Sequence, residues 1–125
     1  MAGTMILSEE EITLGPGKGR IQGLQTMRVM TGSPHVNYLN SLPHHYAPVH
    51  SHTESELMVV VKGRMIFNGR WCGVGSLIYV PANEEYWYAT ADEGCMVILI
   101  RPSAPGTIQM GLESPATGSE IANHA

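Results

Sequence analysis

His50 and His52 are separated by a single residue, and two carboxylates follow at once in the run His50-Ser51-His52-Thr53-Glu54-Ser55-Glu56. Side chains on a β-strand alternate faces, so the two imidazoles project the same way, with Cα atoms about 6 to 7 Å apart. Two imidazoles and a carboxylate meeting at one point suit a divalent metal ion. Which carboxylate joins them depends on the backbone. A straight strand puts Glu54 on the histidines' face, whereas Glu56, roughly 13 Å beyond His52 along such a strand, arrives only if the chain bends. Ser and Thr compete for backbone hydrogen bonds and Glu is weak in strands, so Thr53-Glu54-Ser55 favours a bend. On the residues alone both glutamates remain open.

The segment from His50, His52 and Glu56 through Gly63 resembles the first motif of the cupin superfamily: Gly, five residues, His-x-His, three or four residues, Glu, six residues, Gly. His44 stands where the opening glycine would be. The second cupin motif is Gly, five residues, Pro-x-Gly, two residues, His, three residues, Asn. It is similar to Gly75 through Thr90, where Gly75 and Pro81 fit, Asn83 replaces the turn glycine, and Tyr86 and Thr90 stand in place of the histidine and asparagine. The resemblance covers residues 44 to 101 and implies an all-β fold, a small double-stranded β-helix or jelly-roll barrel with a metal at its mouth. It selects Glu56 over Glu54 and implies His50, His52 and Glu56 as metal ligands, with Tyr86 in the place of a third histidine.

Two histidines and one carboxylate with other positions open suit ferrous iron that binds both a chelating substrate and dioxygen. An Fe(II)-dependent dioxygenase is therefore the leading expectation. Zn, Mn or Ni in the same set would polarise a carbonyl and give an isomerase, cyclase or lyase. A ligand-binding barrel without turnover is the third reading. Tyr86, with an ordinary phenol pKa near 10, is read as a ligand, as a proton donor to bound substrate, or as pocket lining; Tyr86 and Glu56 are the expected catalytic residues. The expected substrate pocket comprises Tyr38, His44, His45, Tyr46, Met58, Tyr88 and Met96. Met58 and Val60 share parity with Glu56, and Met96 shares it with Ile98 and Ile100 on the last strand. His44 and His45 are candidates for a replacement ligand or for the pocket rim, although six extended residues separate His44 from His50 by about 20 Å. With Arg64 and Arg101 at strand ends, the cavity suits a small molecule chelating through oxygen better than a sugar or phosphate.

The elements that would position these groups are short β-prone runs between turn signals. Strands are expected at 24 to 30, 36 to 39, 57 to 62, 65 to 67, 70 to 72, 76 to 80, 85 to 90 and 95 to 101. Between them lie turns at Thr31-Gly32-Ser33-Pro34, Lys62-Gly63-Arg64, Asn68-Gly69, Pro81-Ala82-Asn83 and Asp92-Glu93-Gly94. If Tyr86 points inward, Trp87 points outward and favours an interface, so a homodimer is expected. Residues 1 to 102 read as one barrel domain. Residues 103 to 125, rich in Gly, Pro, Ser and Ala, read as an extended or partly disordered tail.

At 125 residues the chain fits one domain able to bury a core. A net charge of -4 without a Lys/Arg cluster argues against nucleic acid. Glu9, Glu10 and Glu11 interrupt the start, so neither a signal peptide nor a membrane span is expected and the cytoplasm is the expected location. Cys72 and Cys95 are expected to be reduced thiols.

Overall fold

The computed structural model describes residues 3 to 16, 23 to 103 and 108 to 110. Of the expected tail, residues 104 to 107 and 111 to 125 lie outside the described residues. After a 3-10 turn at Glu9–Glu11, the described chain is all β: β1 Gly15–Pro16, β2 Leu24–Met30, β3 His35–Ser41, β4 Tyr46–His52, β5 Glu56–Phe67, β6 Arg70–Cys72, β7 Leu77–Val80, β8 Tyr86–Arg101 and β9 Ile108–Met110. All pairings are antiparallel. No helix among the described residues is long and apolar enough to cross a membrane.

The 16-residue β8 is the spine. It pairs with β4 near its start, through Tyr86↔His50 and Tyr88↔Ala47, and with β3 along its second half, from Cys95↔Ser41 to Arg101↔His35. Its partner β5 runs beside both halves, and β6 and β7 attach to β5. The interior holds Met58, Val60, Met65, Phe67, Val80, Tyr86, Tyr88, Cys95, Val97 and Leu99. The segment read as tail contributes β9, which lies on β4 with Ile108↔His52 and Met110↔His50.

Two expected turns are not turns. Lys62-Gly63-Arg64 lies inside β5 and Asp92-Glu93-Gly94 lies inside β8. The register of the β5/β8 ladder slips between Val60 and Lys62 and again between Gly63 and Met65, with Gly63 paired to Cys95. Gly63 (φ 71°) and Gly94 (φ 65°) sit in the left-handed region that glycine tolerates. A Cβ on Gly63 would strike the Gly94 carbonyl, and one on Gly94 would lie 2.6 Å from the Ser41 carbonyl oxygen. The two glycines thus form facing bulges, at which both strands bend and continue.

The bulges reverse side-chain parity. In β5 the inward set changes from Glu56, Met58 and Val60 to Met65 and Phe67; in β8 it changes from Tyr86 and Tyr88 to Cys95, Val97 and Leu99. A one-residue slip moves every following side chain to the other face. The expectation that Met96, Ile98 and Ile100 line the barrel is therefore corrected, because the alternation restarts after Gly94.

Candidate functional site

Three segments converge at one end of the interior: the end of β4, the start of β5 and the start of β8. The bend at Thr53-Glu54-Ser55 separates β4 from β5, and the Asn83 amide, donating to the His52 carbonyl at 2.7 Å, fixes the following loop across it. Asn83 takes φ 65°, which Asn adopts more readily than most residues. The bend carries Glu56 inward, to 1% exposure, while Glu54 accepts a hydrogen bond from the Ser103 hydroxyl.

Tyr86 donates its hydroxyl to Glu56 Oε1 at 2.8 Å, and the same oxygen of Tyr86 lies 3.1 Å from His52 Nε2. His52 Nε2 and Glu56 Oε1 are 3.4 Å apart. His50 packs against Tyr86 with ring centroids 4.3 Å apart, and its Nδ1 is 2.6 Å from the Pro48 carbonyl. A proton on that nitrogen leaves Nε2 as the acceptor. The other carboxylate oxygen, Oε2, accepts from Arg101 Nε at 3.1 Å and Nη2 at 2.7 Å. Arg101, one parity step with Val97 and Leu99, enters the same interior with only 11% of its side chain exposed.

Electrostatics follow from burial. Desolvation, the negative charge of Glu56 and the hydrogen bond to it push the Tyr86 phenol far above its ordinary value, so it stays protonated. Burial lowers the His52 imidazole, opposed by Glu56 and reinforced by Arg101 and His50. Tyr88, deeper and bonded to the Ser41 hydroxyl at 2.9 Å, is pushed up to about 12, chiefly by burial.

Two ligand atoms about 2.1 Å from one ion in tetrahedral arrangement stand about 3.4 Å apart, which is the His52 Nε2 to Glu56 Oε1 separation. The ring centroids of His50 and His52 are 5.0 Å apart. Both supports usual for ligands are present: a carbonyl on the remote nitrogen of His50 and a donor on the remote oxygen of Glu56. Even so, among the described residues no three His, Cys, Asp or Glu side chains are gathered closely enough to enclose an ion as they stand. Tyr86 is bonded to two of the atoms that a cation would need. As they stand, His52 Nε2 and Glu56 Oε1 are at the separation of two ligands of one ion, and both are in contact with the Tyr86 hydroxyl.

The other expected pocket residues divide. Met58 and Tyr88 are buried in the interior beside Tyr86, where Phe67 stacks on Tyr86 at 4.9 Å and lies parallel to Tyr88 at 6.5 Å. Tyr38 and Met96 are not at the site; they line a separate concavity, of about 680 Å³, between β3, β5, β8 and the N-terminal segment. His44, His45 and Tyr46 are not there either. The Tyr46↔Ala89 pairing places Tyr46 roughly 10 Å along β8 from Tyr86, and His45 and His44 beyond it. His44 is exposed and pairs with Asp92 at 2.9 Å, His45 packs on Tyr88 at 5.9 Å, and Tyr46 packs on Trp87 at 6.3 Å. The Pro43 and Pro48 segment does not fold back, so neither histidine is brought to His50, His52 and Glu56. Arg101, set aside in the sequence for lying at a strand end, enters the site after all, and its signal was parity counted from Val97 rather than from Met96. An open cleft of about 490 Å³ reaches Tyr86 from the side, lined by Phe67, Trp71, Ile78, Tyr79 and Val80 among others.

No family model and no curated protein sequence matches the chain. Solved structures do. The polyketide cyclase RemF from Streptomyces resistomycificus is similar at 16% identity and TM-score 0.73, covering 90% of this chain and 88% of that one. KdgF from Halomonas sp. is similar at 17% identity and TM-score 0.67, over 81% of this chain and 94% of that one. An RmlC-like cupin protein from Ralstonia eutropha is similar at 12% identity and TM-score 0.71, over 98% and 87%. The fold implied by the sequence resemblance is thus the fold observed.

Proposed function

We propose that this cupin-fold chain is an enzyme that moves protons on a small organic molecule chelating through oxygen, such as a diketone or phenolic ketone, at a divalent cation held by His50, His52 and Glu56. The observation that carries this reading is the convergence of His52 Nε2, Tyr86 Oη and Glu56 Oε1 within 3.4 Å of one another on a buried wall. A bound cation would polarise a carbonyl and stabilise an enolate. The chain's own residues supply the rest. Tyr86, kept protonated, presents its hydroxyl to an oxygen on which charge develops. Arg101 holds Glu56 by Oε2 so that the carboxylate keeps its orientation. Phe67, Met58 and Val80 exclude water from the inner side.

The fold shared with a polyketide cyclase supports the cyclase or isomerase branch. The two-histidine, one-carboxylate set supports iron-dependent dioxygenation as the second reading. Diketones and phenolic ketones supplied with Fe(II), Zn, Mn or Ni, under argon and under air, distinguish the two. Turnover without oxygen consumption is expected; oxygen uptake that only Fe(II) sustains would replace the first reading by the second. If no cation supports turnover and His50→Ala leaves ligand affinity unchanged, the barrel only binds. A homodimer is part of the proposal, supported by Leu77 and Tyr79, which are 65% and 62% exposed on β7.

A further inference from the structure

The face of β4 that carries the two histidines continues onto β9. In an antiparallel ladder directly opposed residues project from the same face, with Cβ atoms about 4.5 to 5.5 Å apart. Met110 is opposed to His50, and Ile108 to His52. On its other side His50 is opposed to Tyr86, and those two ring centroids are 4.3 Å apart. Tyr86, His50 and Met110 therefore form one row across three strands, spanning about 10 Å at two strand spacings. His52 and Ile108 stand beside that row on the same face, the two histidine rings being 5.0 Å apart. Polarity and burial change together along it. Tyr86 and His50 are buried at the inner end, whereas Ile108 and Met110 are 52% and 62% exposed at the outer end. Two large apolar side chains, two residues apart on the face that leads to the polar wall, offer apolar surface to whatever is bound against that wall.

We propose that Ile108 and Met110 are specificity-determining residues: they receive an alkyl arm of the molecule whose oxygen meets the Tyr86 hydroxyl. The inference rests on the substrate reading of the proposed function and makes no use of the cation. It narrows the substrate class to oxygen-bearing molecules with an apolar arm that crosses His50 to the outer strand. The unbranched Met110 side chain adapts to arms of different shape. Burying one methylene completely tightens binding by about fourfold, and a rim open to water on one side gives part of that for each carbon added.

The test titrates pentane-2,4-dione and nonane-2,4-dione, which differ only in the length of one alkyl arm, into the full chain. Affinities are read by calorimetry, and contacts by the methyl signals of carbon-13-labelled methionines, with Met110 assigned by its loss in a variant. In the wild type the longer dione is expected to bind at least tenfold more tightly than the shorter. The Met58 signal, from the interior beside Tyr86, is expected to move with both diones, and the Met110 signal with the longer one alone. Ile108→Thr with Met110→Thr keeps β-forming side chains but removes the apolar rim, and its ratio of affinities is expected to fall below threefold. Ile108→Val with Met110→Leu is expected to keep the ratio within twofold of wild type. A wild-type ratio below threefold overturns the inference, as does a Met110 signal unmoved by the longer dione, or a ratio retained by the threonine variant folded by circular dichroism. A threonine variant that sediments as a monomer where the wild type is a dimer also overturns it, since the face is then an interface between two copies. If the threonine variant does not fold, the Met110 signal decides alone. Neither dione moving the Met58 signal overturns the substrate reading and the rim with it, whereas Met58 moving without Met110 overturns the rim only.

Discussion

The chemistry of the site is concentrated in one hydroxyl. Tyr86 bonds to Glu56 and His52 together, so Tyr86→Phe removes a donor from a buried carboxylate at a cost of about 1 to 3 kcal/mol, and removes the proton donor from the reaction. The expected outcome is a folded protein with kcat lower by about 100-fold or more and KM little changed, measured by steady-state kinetics on the substrate found in the screen. If the proposed cation site exists, His50→Ala and His52→Ala are expected to abolish binding of added cobalt(II), read by the visible absorption of the bound ion, while leaving the fold intact. A separate effect belongs to His45, whose imidazole burial holds below 6.5. Above that pH both folded and unfolded chains carry it neutral. Below it the unfolded chain takes up a proton that the folded one resists, so stability falls as the solution is acidified from pH 6.5. The gap between urea midpoints at pH 7 and pH 5 is expected to narrow in His45→Gln without closing, since His52 is lowered in the same way. The two histidines, Glu56 and Tyr86 were all legible from spacing and resemblance. Arg101 was not, because its direction depends on a parity switch that no local residue pattern announces.

At the scale of elements, the facing bulges are the feature most exposed to substitution. Gly94→Ala would place a methyl 2.6 Å from the Ser41 carbonyl oxygen and hold alanine at φ 65°. Gly63→Ala meets the Gly94 carbonyl in the same manner. Each is expected to destabilise by roughly 3 kcal/mol or more, read from thermal or urea unfolding, whereas Gly69→Ala, with open space around its Cβ, is expected to cost less. Most strands were visible in the sequence from β-branched runs and turn dipeptides; Asn68-Gly69 indeed joins β5 to β6. Lys62-Gly63-Arg64 and Asp92-Glu93-Gly94 misled because a glycine at positive φ serves a turn and a bulge alike, and only the pairing of one strand against the other decides between them. β9 was hidden for a different reason. Three residues without strong alternation become a strand only through the ladder that β4 offers them.

For the whole molecule, a barrel whose longest strand contacts three others cannot close by local steps, and folding slower than that of a helical domain of equal size is expected. Its outer surface carries apolar side chains on β7, Leu77 and Tyr79, near Val74. Tyr79→Lys with Leu77→Lys is expected to convert a dimer into a monomer in sedimentation at micromolar concentration; a wild type that sediments as a monomer removes the dimer from the proposal. The double bulge also has a bearing on descent. Because Tyr86 and Arg101 reach the same cavity from opposite phases of one continuous ribbon, loss of a single codon between Thr90 and Cys95 would do more than trim its length. It would evict the guanidinium to the exterior, strand Glu56 without its counter-ion, and turn Val97 and Leu99 toward solvent. The number of residues along that ribbon is therefore as much a part of the site as the identities of Tyr86, Gly94 and Arg101.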